Sequence, residues 1–342
     1  MSSPIRILLC SGSDAGISTQ LALHAAKKSG WVPIDWANPS AENEESPFYL
    51  ALLNALGVSD AAVAVAEAWS STSIVRSVIH ALATWNSLDA ESRFVIDCGE
   101  ISKFLAELND VRALREIALH AMRPELLMDD AGRHLHAQLS GSIQALEALF
   151  ESLTTQAVVR VAVRPGSFAV GEISRIALDC AVLGLVLDCV VVAPAGKKIG
   201  RSEVLRFKGD LSEARPDIPV VRAEEMRAGP KGQLVHERCT DAMAVGSVRE
   251  HPGPDSGTYV GEVLASGLDS AELRVGVLHE HLVLATPRVR RVLPLPSTLV
   301  RCTSRDAGVD EAGAHINFSV EPSLWPEAFA AEAGLSVGEQ DD

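Results

Sequence analysis

Six short runs rich in Val and Ile recur along the first 221 residues, each bounded by turn residues or by a segment of helical period. They are residues 6–10 (RILLC), 32–36 (VPIDW), 94–98 (FVIDC), 158–163 (VVRVAV), 188–193 (DCVVVA) and 218–221 (IPVV). Such continuous apolar runs suit strands buried on both faces, and helical patterns fall between them at residues 19–29, 101–122, 140–152 and 168–183, with another at 233–243. The alternation predicts an α/β fold: a mostly parallel sheet of P-loop NTPase type with helices on both faces. Residues 47–88 hold helical apolar stripes and no strand, which predicts a helical insertion at about 42–92.

The pattern changes after residues 249–257, REHPGPDSG, where prolines, glycines and acidic residues cluster as in a linker. Beyond it, residues 259–264, 271–277, 281–285, 290–294, 298–303 and 315–320 read as short strands joined by turns with no helix between them. The expected organisation is therefore a sheet domain over 1–248, a linker over 249–257, a small all-β sandwich over 258–322 and an acidic tail over 323–342.

Residues 7–24, ILLCSGSDAGISTQLALH, run from strand through a Gly/Ser loop into a helix, the layout of a phosphate-cradling loop. Such a loop, G-x-x-x-x-G-K-[ST], needs a lysine for the phosphate oxygens and a hydroxyl for magnesium. Anchored on Gly16, the lysine position is Ile17 and the hydroxyl is Ser18; anchored on Gly12, Ser18 stands at the lysine position and Thr19 supplies the hydroxyl. Neither register has the ammonium, and Asp14 sets a carboxylate where phosphate would sit. Ser18 and Thr19 read equally as helix N-caps and as ligands.

Composition narrows the function classes. A net charge of −15 without a Lys/Arg stripe argues against nucleic-acid binding. No run approaches the ~18 apolar residues of a membrane span, and MSSPIRILLC lacks the pattern of a signal peptide, so a cytoplasmic protein is expected. The six cysteines form no CxxC pair and no Cys/His cluster at zinc spacing, and read as small buried apolar residues in a reducing compartment. His134 with His136, and His279 with His281, read as surface or turn residues; no metal site is expected.

With this strand order the chain resembles the ArsA-type ATPases, the arsenite-pump ATPases and their relatives that escort tail-anchored membrane proteins. SGSDAGIST stands where the family has G-K-G-G-x-G-K-[ST]-T, with Gly12 and Ile17 at the two lysine positions. Asn38-Pro39-Ser40-Ala41 stands at D-P-A-H-S, putting an amide at the switch acid. Asp97-Cys98-Gly99-Glu100 stands at D-x-x-P-T-G-E, keeping the Walker B aspartate and losing the turn, and Ala193 stands at the adenine-reading Asn of V-V-V-N-R. VRRVLPLPSTLVRC and INFSVEP resemble the small heat-shock-protein-like domain that ends many bacterial members.

The resemblance implies a phosphate loop of Gly12, Ser13, Gly16, Ser18 and Thr19, with Asp97 at the Walker B position and Asn38 at the switch position, and no catalytic residue. Asp97 reads equally as a magnesium-side acid and as a helix cap. The expectation is a pseudo-ATPase that binds ATP with magnesium weakly if at all, and pairs with an ArsA-like paralogue or with itself. Two alternatives stay open: an atypical active ATPase, and a stand-alone chaperone-like module that holds an apolar client segment.

Overall fold

The computed structural model describes residues 5–29, 31–36, 81, 84–86, 88, 92–121, 130–164, 169–192, 201–222, 239–240, 245–255, 257–264, 272–310 and 313–321. Asn38, Ala193, almost all of the expected helical insertion, most of the expected helix at 233–243 and the acidic tail lie outside them. The chain divides into two compact units, residues 1–176 with 185–241, and residues 177–184 with 242–342.

The first unit runs β1 (Ile7–Gly12), α1 (Ala15–Ser29), β2 (Val32–Asp35), β3 (Phe94–Glu100), α2 (Ile101–Ala121), α3 (Asp130–Gln156), β4 (Ala157–Val163), the start of α4 (Val170–Val182, whose residues from Ala177 on belong to the second unit), β5 (Leu187–Val192), α5 (Arg201–Ala214) and β6 (Val220–Arg222). Its six strands form one parallel sheet in the order β2-β3-β1-β4-β5-β6, flanked by helices as the alternation predicts. β1, β4 and β5 are buried along their whole length, and β3 along all but its last residue. That is why their sequences are continuous apolar runs rather than alternating ones. α1 lays Ile17, Leu21, Ala22, Ala25 and Ala26 on a sheet face that includes Leu8, Cys10, Val95, Val158 and Ala162. The spacing of those five residues is one stripe of a helix.

α5 is a helix the periodicity reading did not find. Its sequence, RSEVLRFKGDLSEA, buries Val204, Phe207 and Leu211, leaves Leu205 exposed and is otherwise mostly polar, so three buried apolar residues carry a weak signal against a charged background.

The second unit holds two antiparallel sheets. One is β11-β10-β9, from β9 (Arg274–Leu278), β10 (His281–Ala285) and β11 (Arg290–Pro294). The other is β12-β13-β8-β7, from β7 (Arg249–Pro252), β8 (Thr258–Leu264), β12 (Cys302–Val309) and β13 (Gly313–Val320). Two expectations are corrected here. The stretch read as a linker contributes β7, an edge strand paired with β8, in which a proline at the end is tolerated because the outer edge has no partner strand. The strand expected at 298–303 is instead a helical turn, α6 (Ser297–Val300), closed by Val300 N–H donating to Pro296 O, and β12 begins only at Cys302. That turn seats the fully buried Leu299 against the strand position of Gly261, where a Cβ would lie 3.0 Å from Leu299 Cδ1 and 3.0 Å from Phe318 Cε2. Within this unit Asp179 accepts from Thr286 Oγ1 at 2.7 Å and forms an ion pair with Arg288, its Oδ2 2.7 Å from Arg288 Nε, which places the end of α4 with the β strands. Among the described residues no helix is long and apolar enough to cross a membrane.

Gly313 has φ 156°, and a Cβ there would lie 2.1 Å from Val263 O, a backbone atom of the paired strand. Gly313→Ala is expected to destabilise the second unit by about 2 kcal/mol or more. Gly276→Ala, whose added Cβ meets nothing within 4 Å, serves as the control. Urea unfolding of the full chain should show the loss of stability for the first variant and no comparable loss for the second.

Candidate functional site

β1 and β4 are neighbours, yet the chain leaves β1 toward one edge of the sheet, to β2, and leaves β4 toward the other, to β5. The carboxyl ends of these strands are the switch point at which open α/β sheets hold ligands. Gly12 ends β1 there, paired with Ala162 of β4 on one side and Glu100 of β3 on the other. Gly12, Ser13, Gly16, Ser18 and Thr19 all lie at this point, and β3 delivers Asp97 to two of them.

The connection is short. β1 runs to Gly12 and α1 begins at Ala15, so only Ser13 and Asp14 join them. A Cβ on Gly12 would sit 2.8 Å from Asp14 O and 2.9 Å from Ser18 N, so the turn itself demands a glycine. Gly16 is under no such demand: its added Cβ would meet only Asp14 Oδ1, at 3.3 Å. Asp14 is the N-cap of α1, its Oδ1 accepting from Ile17 N–H at 3.0 Å and its carbonyl oxygen from Ser18 N–H at 3.2 Å. Its Oδ2 faces Arg164 Nη1 at 3.4 Å in a half-exposed pair. The helix end that would receive a phosphate is therefore occupied by the chain's own carboxylate.

Ile17 faces the wrong way to stand in for a lysine. It is 1% exposed and packs in the core beneath α1, so a longer side chain at this position meets Leu, Val and Ala rather than the loop.

The hydroxyls behind it converge on one carboxylate. Ser18 Oγ donates to Asp97 Oδ1, Thr19 Oγ1 donates to Asp97 Oδ2 at 2.6 Å, and Gly99 N–H donates to Asp97 Oδ1 at 3.1 Å. Ser18 and Thr19 are thus not the cap of α1; Asp14 is. Gly99, at φ 66°, marks a register shift in which β3 carries an extra residue against β1, between the pairs Cys10↔Asp97 and Gly12↔Glu100. Ser11 Oγ donates to Gly99 O at 2.7 Å and holds that distortion in place. β3 then passes directly into α2 at Ile101, with no connecting residue between them. Burial pushes the Cys10 thiol, at the end of β1, up to about 12, with the Arg160 charge opposing and Asp97 adding to the effect.

Residues that motif reading missed also meet here. Trp36 N–H donates to Asp97 O at 2.9 Å, while its indole Nε1 donates to Glu107 Oε2 at 3.3 Å and its ring stands edge-on to Phe104. Arg164 supplies the cation beside Asp14. Both follow the carboxyl ends of their strands, β2 and β4, and that position was the signal that could have found them.

Two hydroxyls and a carboxylate are oxygen donors of the kind magnesium takes. The phosphate side is a different matter: the connection is two residues long, the helix end is self-capped, and the lysine position points into the core. The residues present do not fit a nucleoside triphosphate.

No family model matches the chain. It is similar to an uncharacterised protein of Streptomyces coelicolor, 25% identical over an alignment of 280 residues that covers 73% of this chain and 71% of that protein.

Ile17→Lys is expected to destabilise the first unit by about 3 kcal/mol or more, since it buries an ammonium among the apolar side chains beneath α1, and to gain no affinity for ATP. Asp14→Ala, which removes only the cap, should cost about 1 kcal/mol. Denaturant unfolding of both variants, followed by titration with ATP and magnesium, tests the pair of outcomes.

Proposed function

We propose that this chain is a non-hydrolytic relative of the ArsA-type ATPases, a subunit that keeps their nucleotide-binding sheet and works as a binding partner beside an intact ATPase of the same fold. The observation that supports this reading best is the Asp14 cap, a carboxylate on the helix end where the γ-phosphate side of a nucleotide would need positive potential. The two lysine positions of the family are filled by a glycine that the turn requires and an isoleucine that the core requires. In the family the resemblance points to, two halves close over nucleotide, so a half without chemistry still shapes its partner's site.

The survival of Ser18, Thr19 and Asp97 together favours a second reading, an atypical ATPase that binds magnesium-ATP through these groups and backbone donors. The two readings separate on one measurement. Calorimetric titration of the full chain with ATP and magnesium is expected to show binding weaker than about 100 μM, because the missing ammonium contact alone is worth roughly one to two factors of ten. Phosphate release should stay at background. Micromolar binding with steady turnover would overturn the proposal in favour of the atypical ATPase. Affinity purification from the native host is expected to retain an ArsA-like ATPase with both loop lysines; a chain that purifies alone and monomeric would count against the pairing.

A further inference from the structure

A second polar cluster lies in the first unit, buried in the sheet and away from any motif. Arg160 and Asp188 are both fully buried, on β4 and β5, and Arg160 Nε donates to Asp188 Oδ2 at 2.8 Å. The pairing of these strands shifts register between Val159↔Leu187 and Arg160↔Cys189, so Asp188 is an extra residue in β5. Such a bulge re-aims side chains. Here it lets Asp188 and Cys189, adjacent in sequence, face the same guanidinium.

A third segment completes the cluster. Cys239 N–H donates to Asp188 Oδ1 at 2.6 Å, and Thr240 Oγ1 donates to Asp217 O at 2.7 Å, which pins these two residues to β5 and to the turn before β6. Arg160 Nη2 lies 3.8 Å from Cys239 Sγ. A carboxylate oxygen of Asp188 and the sulfurs of Cys189 and Cys239 all lie within 4.8 Å of one another. Cys189 is buried, whereas Cys239 is partly exposed.

This set of groups admits a metal or a redox pair, and charge separates the two. A cation would have to enter beside the Arg160 guanidinium, and Asp188 already accepts from Arg160 on one oxygen and from Cys239 N–H on the other. The same guanidinium stabilises a thiolate. The hydrogen bond from the Cys189 thiol, helped by Arg160, holds Cys239 below the usual thiol value against burial and the Asp188 charge. Its counterpart Cys189 is raised, by that hydrogen bond first and by burial next. By contrast, burial drives Cys302 up to about 11, with Glu250 adding to it.

We propose that Cys189 and Cys239 are a redox-active dithiol, with Cys239 the thiolate that reacts with a hydroperoxide and Cys189 the thiol that then closes a disulfide. In the first step Cys239 Sγ attacks one peroxide oxygen. The S–O bond forms as the O–O bond breaks, and the departing hydroxide takes the Cys189 proton to become water. In the second, Cys189 Sγ attacks the Cys239 sulfenic acid. The S–S bond forms as the S–O bond breaks, and the hydroxide released takes a proton from solvent. The two sulfurs together give up two electrons, and hydrogen peroxide leaves as two waters. A small dithiol reductant reverses the change.

The test uses the full reduced chain, treated with hydrogen peroxide, with remaining thiols then alkylated and the peptides mapped by mass spectrometry. The expected product is a single Cys189–Cys239 cross-link, removed by dithiothreitol, with the other four cysteines still free to alkylate after unfolding. Cys189→Ser should halt the reaction at a Cys239 sulfenic acid that dimedone captures, and Cys239→Ser should leave Cys189 without adduct. No cross-link in the wild type, a cross-link to another cysteine, or dimedone on Cys189 in the Cys239→Ser variant would each overturn the assignment. So would stoichiometric zinc retained through dialysis that protects both thiols from alkylation, because the cluster would then be a metal site.

Discussion

A carboxylate buried in the middle of the third strand governs the architecture of the first unit. Asp97 is 6% exposed, and a polar group so placed is tolerable only when hydrogen-bond partners surround it. The donors come from elements far apart in sequence: two hydroxyls from the first turns of α1 and a backbone N–H from the distorted end of β3. The requirement therefore fixes the position of α1 over the sheet, the two-residue connection from β1 and the positive φ of Gly99. Trp36, which donates to the same residue's carbonyl, extends the constraint to β2 at the sheet edge.

The electrostatic character of the switch point follows. Two carboxylates, Asp97 and Asp14, occupy the end of the sheet where an anion-binding fold needs donors, and the cation beside them, Arg164, is half exposed and spent on Asp14. In a chain of net charge −15, the surrounding field adds to this effect. A helix end that binds no anion needs an acceptor of its own, and a capping aspartate is the simplest one. The same carboxylate that stabilises the fold opposes the ligand.

The parallel sheet was legible because its central strands are buried on both faces and so announce themselves as unbroken Val/Ile runs; the strand ends differ by one or two residues from those expected. The location of the loop was legible for the same reason, since it follows the first such run. Its conformation was not. Motif matching placed Ile17 as a lost lysine, whereas its packing against the sheet depends on where α1 starts, a matter decided by Asp14 and Gly12 rather than by the motif. α5 and β7 escaped because one has only three core-facing apolar residues in a polar sequence and the other is an exposed edge strand, so neither carries a strong hydrophobic period. The cysteines were read one at a time as inert core residues. Nothing local could have joined Cys189 to Cys239, fifty residues on, because the contact is made by an irregularity in strand pairing.

That irregularity also bears on how the sheet assembles. Leu187 stands opposite one phase of β4, and the residues after Asp188 stand opposite the other, so a six-residue strand holds two alternations. Apolar side chains alone are a poor guide to such a pairing, since Val and Leu occupy both faces and fit either phase. Arg160 and Asp188 are not interchangeable in this way. A slip of one residue would leave a buried guanidinium without its carboxylate, a loss of about 3–5 kcal/mol, comparable to the whole margin by which many domains stay folded. The ion pair thus proofreads the alignment of two greasy strands, and adds uniqueness to a core whose hydrophobicity by itself would accept more than one arrangement.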